Sequence, residues 1–114
     1  MPGRSLPCGI MKLETAMEIS DWRKKIDEID RSLVKLLNER ARCAAEIGKI
    51  KRANGLPIQE PNREQEVLRQ AFQANEGPLT DQAIQSVFER ILEEGRALQR
   101  RLFAAAEQGT GKRE

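Results

Sequence analysis

The chain has 114 residues, a third of them charged, with a formal net charge of +2, three Phe, one Trp, no Tyr and no His. Its wealth of Ala, Leu, Glu, Lys and Arg points to an all-α domain without β-sheet, and the small charge excess argues against a nucleic-acid-sized basic surface. With no His and with Cys8 and Cys43 far apart, a transition-metal site, a His-based catalytic pair and a disulfide framework are all excluded, and no apolar run approaches the length of a membrane span.

Residues 1–16 contain Pro2, Gly3, Pro7 and Gly9 without hydrophobic periodicity and read as a mobile arm, in which Met11 is an alternative start, as is Met17 just beyond it. The first residues do not follow the charged-then-apolar order of a signal peptide, so the expected compartment is the cytoplasm. The folded domain is expected over residues 17–104, followed by a disordered tail over residues 105–114.

A first helix should start between Thr15 and Asp21, where Thr15 with Glu18 forms a capping-box pattern and Ser20 with Asp21 offers a second N-terminal signal. It should end near Ala53, because Asn54-Gly55 is a stop signal and Leu56-Pro57 starts an extended stretch. Ile19, Trp22, Ile26, Ile29, Leu33, Leu36, Cys43, Ile47 and Ile50 form a continuous apolar seam along it, with Cys43 reading as a small buried hydrophobe. Such a helix is about 50 Å long, too long for a chain of this size to cover by itself. A second copy is therefore expected against it.

A short helix is predicted from about Pro61 to Ala74, with Val67, Leu68, Ala71 and Phe72 on one face, and a loop follows at Asn75-Glu76-Gly77-Pro78. The third helix should open at Thr80 or Asp81, place Ile84, Phe88, Ile91, Gly95, Leu98 and Leu102 on one stripe, and fade after Phe103.

Chemistry should reside where residue type contradicts position. Arg40 sits on the apolar seam, with Arg23 and Lys51 one position off it; Arg63 and Glu64 open the second helix, and Gln99 lies on the packed side of the third. Each has an ordinary structural explanation taken alone: a buried ion pair, a lysine reaching water, a first-turn carboxylate favoured by the helix dipole, a helix–helix hydrogen bond. Together they fit a small dicarboxylate, held by guanidinium forks, with the ammonium and amide donating to a central oxygen and Glu64 accepting from a hydroxyl.

The stretch WRKKIDEIDRSLVKLLNERARCAAEIGKIKRANGLPIQEPNREQEVL from Trp22 to Leu68, together with IQSVFERILEEGRALQ, resembles the all-helical class of chorismate mutase. The resemblance covers about residues 20–100. It implies three helices per chain, one very long, in an intertwined homodimer with two shared active sites that convert chorismate to prephenate in phenylalanine and tyrosine biosynthesis, without a cofactor or metal. It further implies that Arg40 and the partner's Arg23 bind the substrate carboxylates with Arg63 nearby, that Lys51 and Gln99 donate to the ether oxygen of the breaking bond, and that Glu64 holds the ring hydroxyl with help from the backbone at Glu60. Gly95 stands where many members have Ser. The Asn75–Leu79 loop and the Ala97-Leu98-Gln99 ending look like mutase domains fused to the first enzyme of the shikimate pathway, which makes that enzyme a candidate partner.

Arg23 and Arg40 are 17 residues apart, roughly 25 Å along one helix, so no small substrate spans them within one chain. Antiparallel pairing of two long helices would bring them together twice about a twofold axis. Two alternatives stand beside the mutase reading: an isochorismate pyruvate-lyase of the same fold, which generally lacks a carboxylate at the Glu64 position, and a non-catalytic helical regulatory dimer. Cations on the seam instead of an exposed recognition helix argue against DNA binding.

Overall fold

The computed structural model describes the backbone of residues 17–113 and the side chains of residues 17–106. Three helices follow one another: α1 at Ile19–Ala53, α2 at Pro61–Ala74 and α3 at Asp81–Arg113. Among the described residues there is no strand, so the all-α expectation is met. The arm expected over residues 1–16, Thr15 and Cys8 included, lies outside the described residues. The chain divides into two compact units at Leu36/Leu37, with α1 crossing the boundary.

The ends of α1 follow from local chemistry. The Glu18 backbone N–H donates to Asp21 Oδ2 at 3.0 Å, while the Asp21 and Trp22 amides donate back to the Glu18 carbonyl. The carboxylate thus occupies the electropositive first turn and satisfies one of the donors left there. At the other end Gly55 has φ of +67°, a left-handed conformation that glycine adopts without steric cost. The Leu56 amide donates to the Lys51 carbonyl at 2.8 Å and the Gly55 amide to Arg52 at 3.3 Å, a Schellman arrangement that turns the chain back over the last helical turn.

In the first unit, the apolar residues of α1 have no cover. Ile19, Trp22, Ile26, Ile29, Leu33 and Leu36 are each about half exposed or more. Each such side chain contributes roughly 1.5–3 kcal/mol when fully buried, so this stripe is a large unrealised stabilisation in the isolated chain.

In the second unit α2 packs on α3. Pro61 opens α2, where its lack of an N–H costs nothing. Val67 is buried, and Glu64, Leu68, Ala71 and Phe72 on the same face are partly buried. The connecting loop is tied by Asn75, whose Nδ2 donates to the Leu79 carbonyl at 2.9 Å and to Asp81 Oδ1 at 2.8 Å, while its Oδ1 accepts from the Gly77 amide at 3.0 Å. Thr80 then caps α3, its Oγ1 accepting from the Ala83 amide at 3.1 Å.

Two expectations are corrected. The third helix does not fade after Phe103: its backbone is helical to Arg113, carried onward by Ala104, Ala105 and Ala106, the strongest helix formers. Cys43, expected as a small buried hydrophobe, is an exposed free thiol in the isolated chain.

Candidate active site

The second unit forms an open cavity of about 220 Å³ whose charged wall holds Arg40 and Lys51 from α1, Glu60 from the α1–α2 connection, Arg63 and Glu64 from α2, and Arg96 from α3. Four cations face two carboxylates, an excess that suits an anionic occupant. Gly95 and Gln99 complete the polar and open parts of the wall, and Ile47, Val67 and Leu92 belong to the apolar part. Seven of the eight site residues expected from the sequence, namely Arg40, Lys51, Glu60, Arg63, Glu64, Gly95 and Gln99, therefore meet at one cavity. Arg23 is not among them; it lies in the first unit and is exposed.

Lys51 is 7 % exposed, so it is not a helix-end lysine reaching into water. Its Nζ donates to the Ile58 carbonyl at 2.6 Å, pairs with a Glu60 carboxylate oxygen at 2.8 Å, and lies 3.5 Å from Gln99 Oε1. The Schellman turn makes this possible by folding Ile58 and Glu60 back over the last turn of α1. Two of these contacts are strong. The third is at the outer limit of a hydrogen bond.

Gln99 is 6 % exposed, and its Nε2 donates to the Ala44 carbonyl at 2.7 Å. The helix–helix hydrogen bond considered from the sequence is thus present, and it leaves the second N–H of the amide uncommitted. Gly48 sets how closely Gln99 approaches α1: a Cβ built there would sit 2.9 Å from Gln99 Cγ, so only glycine admits the amide at this depth.

Among the described residues Arg40 makes no hydrogen bond or ion pair, although its side chain is partly buried in the cavity wall. A Cβ built on Gly95 would lie 3.9 Å from Arg40 Nη1, which puts the guanidinium against the backbone of α3. A partly desolvated guanidinium without a partner is chemically suited to receive an anion. Arg63, by contrast, is ion-paired at 2.8 Å to Glu66 one turn on, near the surface.

Two relationships go beyond the sequence reading. Glu60, expected to act through its backbone, neutralises Lys51 with its side chain. Glu64 is ion-paired with Arg96, a residue not singled out from the sequence, and both side chains are 22 % exposed. The signal for Arg96 was its position directly after Gly95 and three residues before Gln99, on the flank of the same stripe. The interior cations therefore have more anionic partners than the sequence alone indicated, and Arg40 is the one on the cavity wall without any among the described residues.

A family model described as chorismate mutase type II matches residues 22–100. The chain belongs to this family. It is 33% identical over 84 residues to the chorismate mutase of Methanocaldococcus jannaschii, covering 73% of this chain and 85% of that protein. It is 34% identical over 92 residues to the bifunctional chorismate mutase/prephenate dehydratase of Aquifex aeolicus, covering 77% of this chain and 25% of the relative. The chain thus spans about a quarter of the length of that bifunctional relative. A solved structure of chorismate mutase from Thermus thermophilus superposes with a TM-score of 0.71 at 36% identity, covering 73% of this chain and 94% of that one. No helix of the described residues is long and apolar enough to cross a membrane, and the described residues contain no cluster suited to a metal ion.

Proposed function

We propose that this chain is a chorismate mutase that rearranges chorismate to prephenate and acts as a homodimer with shared sites. The observation that carries the reading is the unpartnered guanidinium of Arg40 on the wall of a cavity that also presents a buried ammonium and a buried amide. Chorismate is a dianion; within one chain, among the described residues, Arg40 is the uncompensated cation of the cavity wall, which leaves the second carboxylate to a cation of the partner subunit.

The reaction is a unimolecular pericyclic rearrangement, so it requires no nucleophile, proton transfer or metal. What it needs is selection of the compact substrate conformer and stabilisation of the negative charge that grows on the ether oxygen. Arg40 takes one carboxylate bidentately, and Arg23 of the partner subunit takes the other. Lys51 and the free N–H of Gln99 donate to the ether oxygen. Lys51 can do so cheaply, because its 3.5 Å contact with Gln99 Oε1 is the weak member of its set while Ile58 and Glu60 hold the ammonium in place. A millionfold acceleration requires about 8 kcal/mol. One preorganised donor typically contributes about 3–4 kcal/mol, so two donors plus conformational restriction suffice.

The homodimer is supported by the exposed stripe from Ile19 to Leu36, which a second copy would cover. Sedimentation equilibrium at low micromolar concentration should give twice the chain mass, and a folded, active monomer would rule out sharing of the sites. A complex with the first enzyme of the shikimate pathway, suggested by the loop and the end of the mutase-like stretch, is tested separately by cosedimentation.

Glu64 favours the mutase over isochorismate pyruvate-lyase chemistry, because it offers an acceptor for the ring hydroxyl. The test is to incubate the purified chain with chorismate and with isochorismate and identify products by NMR. Prephenate from chorismate supports the proposal; pyruvate from isochorismate without prephenate favours the lyase, and full helicity with no turnover of either favours a non-catalytic dimer.

A further inference from the structure

We propose that Arg96 is a positioning residue that holds Glu64 away from Arg40, so that the carboxylate-binding guanidinium stays free for substrate. The inference rests on the mutase reading given above. Arg96 and Glu64 come from different helices, α3 and α2, and meet across a separation of 32 residues in the sequence. Both line the cavity that holds Arg40. The pair is partly buried, where an ion pair is less screened than one at the surface.

The cavity poses a problem that this pair solves. Its wall must keep a carboxylate for the ring hydroxyl close to a guanidinium meant for the substrate's own carboxylate. Left to itself, a flexible glutamate in such a cavity would swing onto the unpartnered guanidinium and compete with substrate for it. The other carboxylate of the wall, Glu60, is already held by Lys51, and Arg63 is committed to Glu66. Arg96 is therefore the cation that restrains Glu64.

The geometry of the restraint also suits the function of its partner. Arg96 Nη1 donates to Glu64 Oε2. Among the described residues, Glu64 Oε1 has no hydrogen-bond donor, which leaves it to accept from a hydroxyl in the cavity. A neutral side chain at position 96 would remove the tether while leaving the acceptor in place.

The test is a double-mutant cycle on the full chain, read by steady-state kinetics with chorismate. Arg96→Met, which keeps the apolar stem, should raise KM about tenfold through Glu64 competing for Arg40, while Arg96→Lys should stay within about threefold of the parent. In a Glu64→Gln background the competing charge is gone, so Arg96→Met should change KM less than twofold. The readout that separates this role from a structural one is the sign of the second step: adding Glu64→Gln to Arg96→Met should lower KM. Should Arg96→Met fold poorly by circular dichroism, Arg96→Gln removes the same charge and carries the same expectation.

Parental KM in Arg96→Met or Arg96→Gln, with Glu64 intact, overturns the proposal. So does an equal rise in KM with and without Glu64→Gln, which would mean that Arg96 touches the substrate directly. A parent chain that leaves chorismate unconsumed overturns the mutase reading and this proposal together, and is distinguished from the other outcomes at the first assay.

Discussion

Lys51 and Gln99, separated by 48 residues in the sequence, bring Nζ and Oε1 to 3.5 Å of each other, and both side chains are more than nine-tenths buried. Neither is placed there by its own intrinsic preference. Lys51 is held by the turn that Gly55 permits, and Gln99 by the space that Gly48 leaves. The donor pair assigned to the ether oxygen is thus supported by two glycines that are not among the residues lining the cavity.

Gly48→Ala tests the second of these supports. Alanine improves helix propensity by about 1 kcal/mol in a helix interior. Here its Cβ would meet Gln99 Cγ at 2.9 Å, so the amide must move. The expected outcome is a fall in kcat of at least about tenfold with helicity retained, because a displaced donor forfeits part of its contribution to the transition state. Stopped-flow or steady-state turnover together with thermal melting checks it; a parental kcat would show that the depth of Gln99 does not matter.

Gly55→Ala tests the first. At φ of +67° an alanine is strained although nothing lies within 4 Å of its Cβ, so the loss is conformational and amounts to about 1 kcal/mol. Denaturant unfolding should report that destabilisation, accompanied by weaker catalysis as the Ile58 and Glu60 contacts to Lys51 loosen. Unchanged stability would mean that the turn reorganises at no cost.

Gln99→Glu should separate a catalytic amide from a structural one. An amide donates at any ordinary pH, whereas an ionised carboxylate can only accept and would repel the charge developing on the ether oxygen. An unperturbed glutamic acid titrates near pH 4.3, so the donating protonated form becomes more populated as pH falls toward that value. The variant should lose about a hundredfold or more in kcat at pH 8 and recover activity toward acid, against a flatter parental profile. A parental profile with little loss at pH 8 would make Gln99 a purely structural residue.

Gly95→Ser addresses the position where relatives often carry a hydroxyl. The Cβ fits, 3.9 Å from Arg40 Nη1, and serine gains a few tenths of a kcal/mol of helix propensity over glycine. The serine variant should therefore be slightly more stable and bind substrate a few-fold more tightly, read as a lower KM with unchanged kcat. A raised KM would show that the open space beside Arg40 is itself used.

The parts of this molecule that were legible in the sequence are those set by local chemistry. The start of α2 at Pro61, the Thr80 cap of α3 and the stop at Asn54-Gly55 each depend on a few adjacent residues, and the structure has all three. The cavity residues stood out because Arg40, Lys51 and Gln99 occupy faces where their polarity is costly. What could not be read was pairing across helices. Arg96 with Glu64 and Glu60 with Lys51 are tertiary choices among many chemically equivalent partners, and the exposure of Cys43 depends on what covers α1. Gly48 did leave a trace, since glycine inside a helical pattern signals a close approach, but the residue approaching it could not be named from spacing.

The central claim is that Arg40 belongs to the substrate and not to the fold. Its guanidinium lacks a partner among the described residues, so replacing it with an apolar side chain of similar length removes a desolvation cost without breaking an ion pair. The decisive measurement is kcat/KM for chorismate alongside the melting temperature for Arg40→Met and the parent. The account predicts prephenate formation by the parent, a loss of at least about a thousandfold in kcat/KM for the variant, and a melting temperature equal to or above the parent's. A variant that retains parental kcat/KM, or one whose activity falls only in proportion to a lost fold, would contradict it.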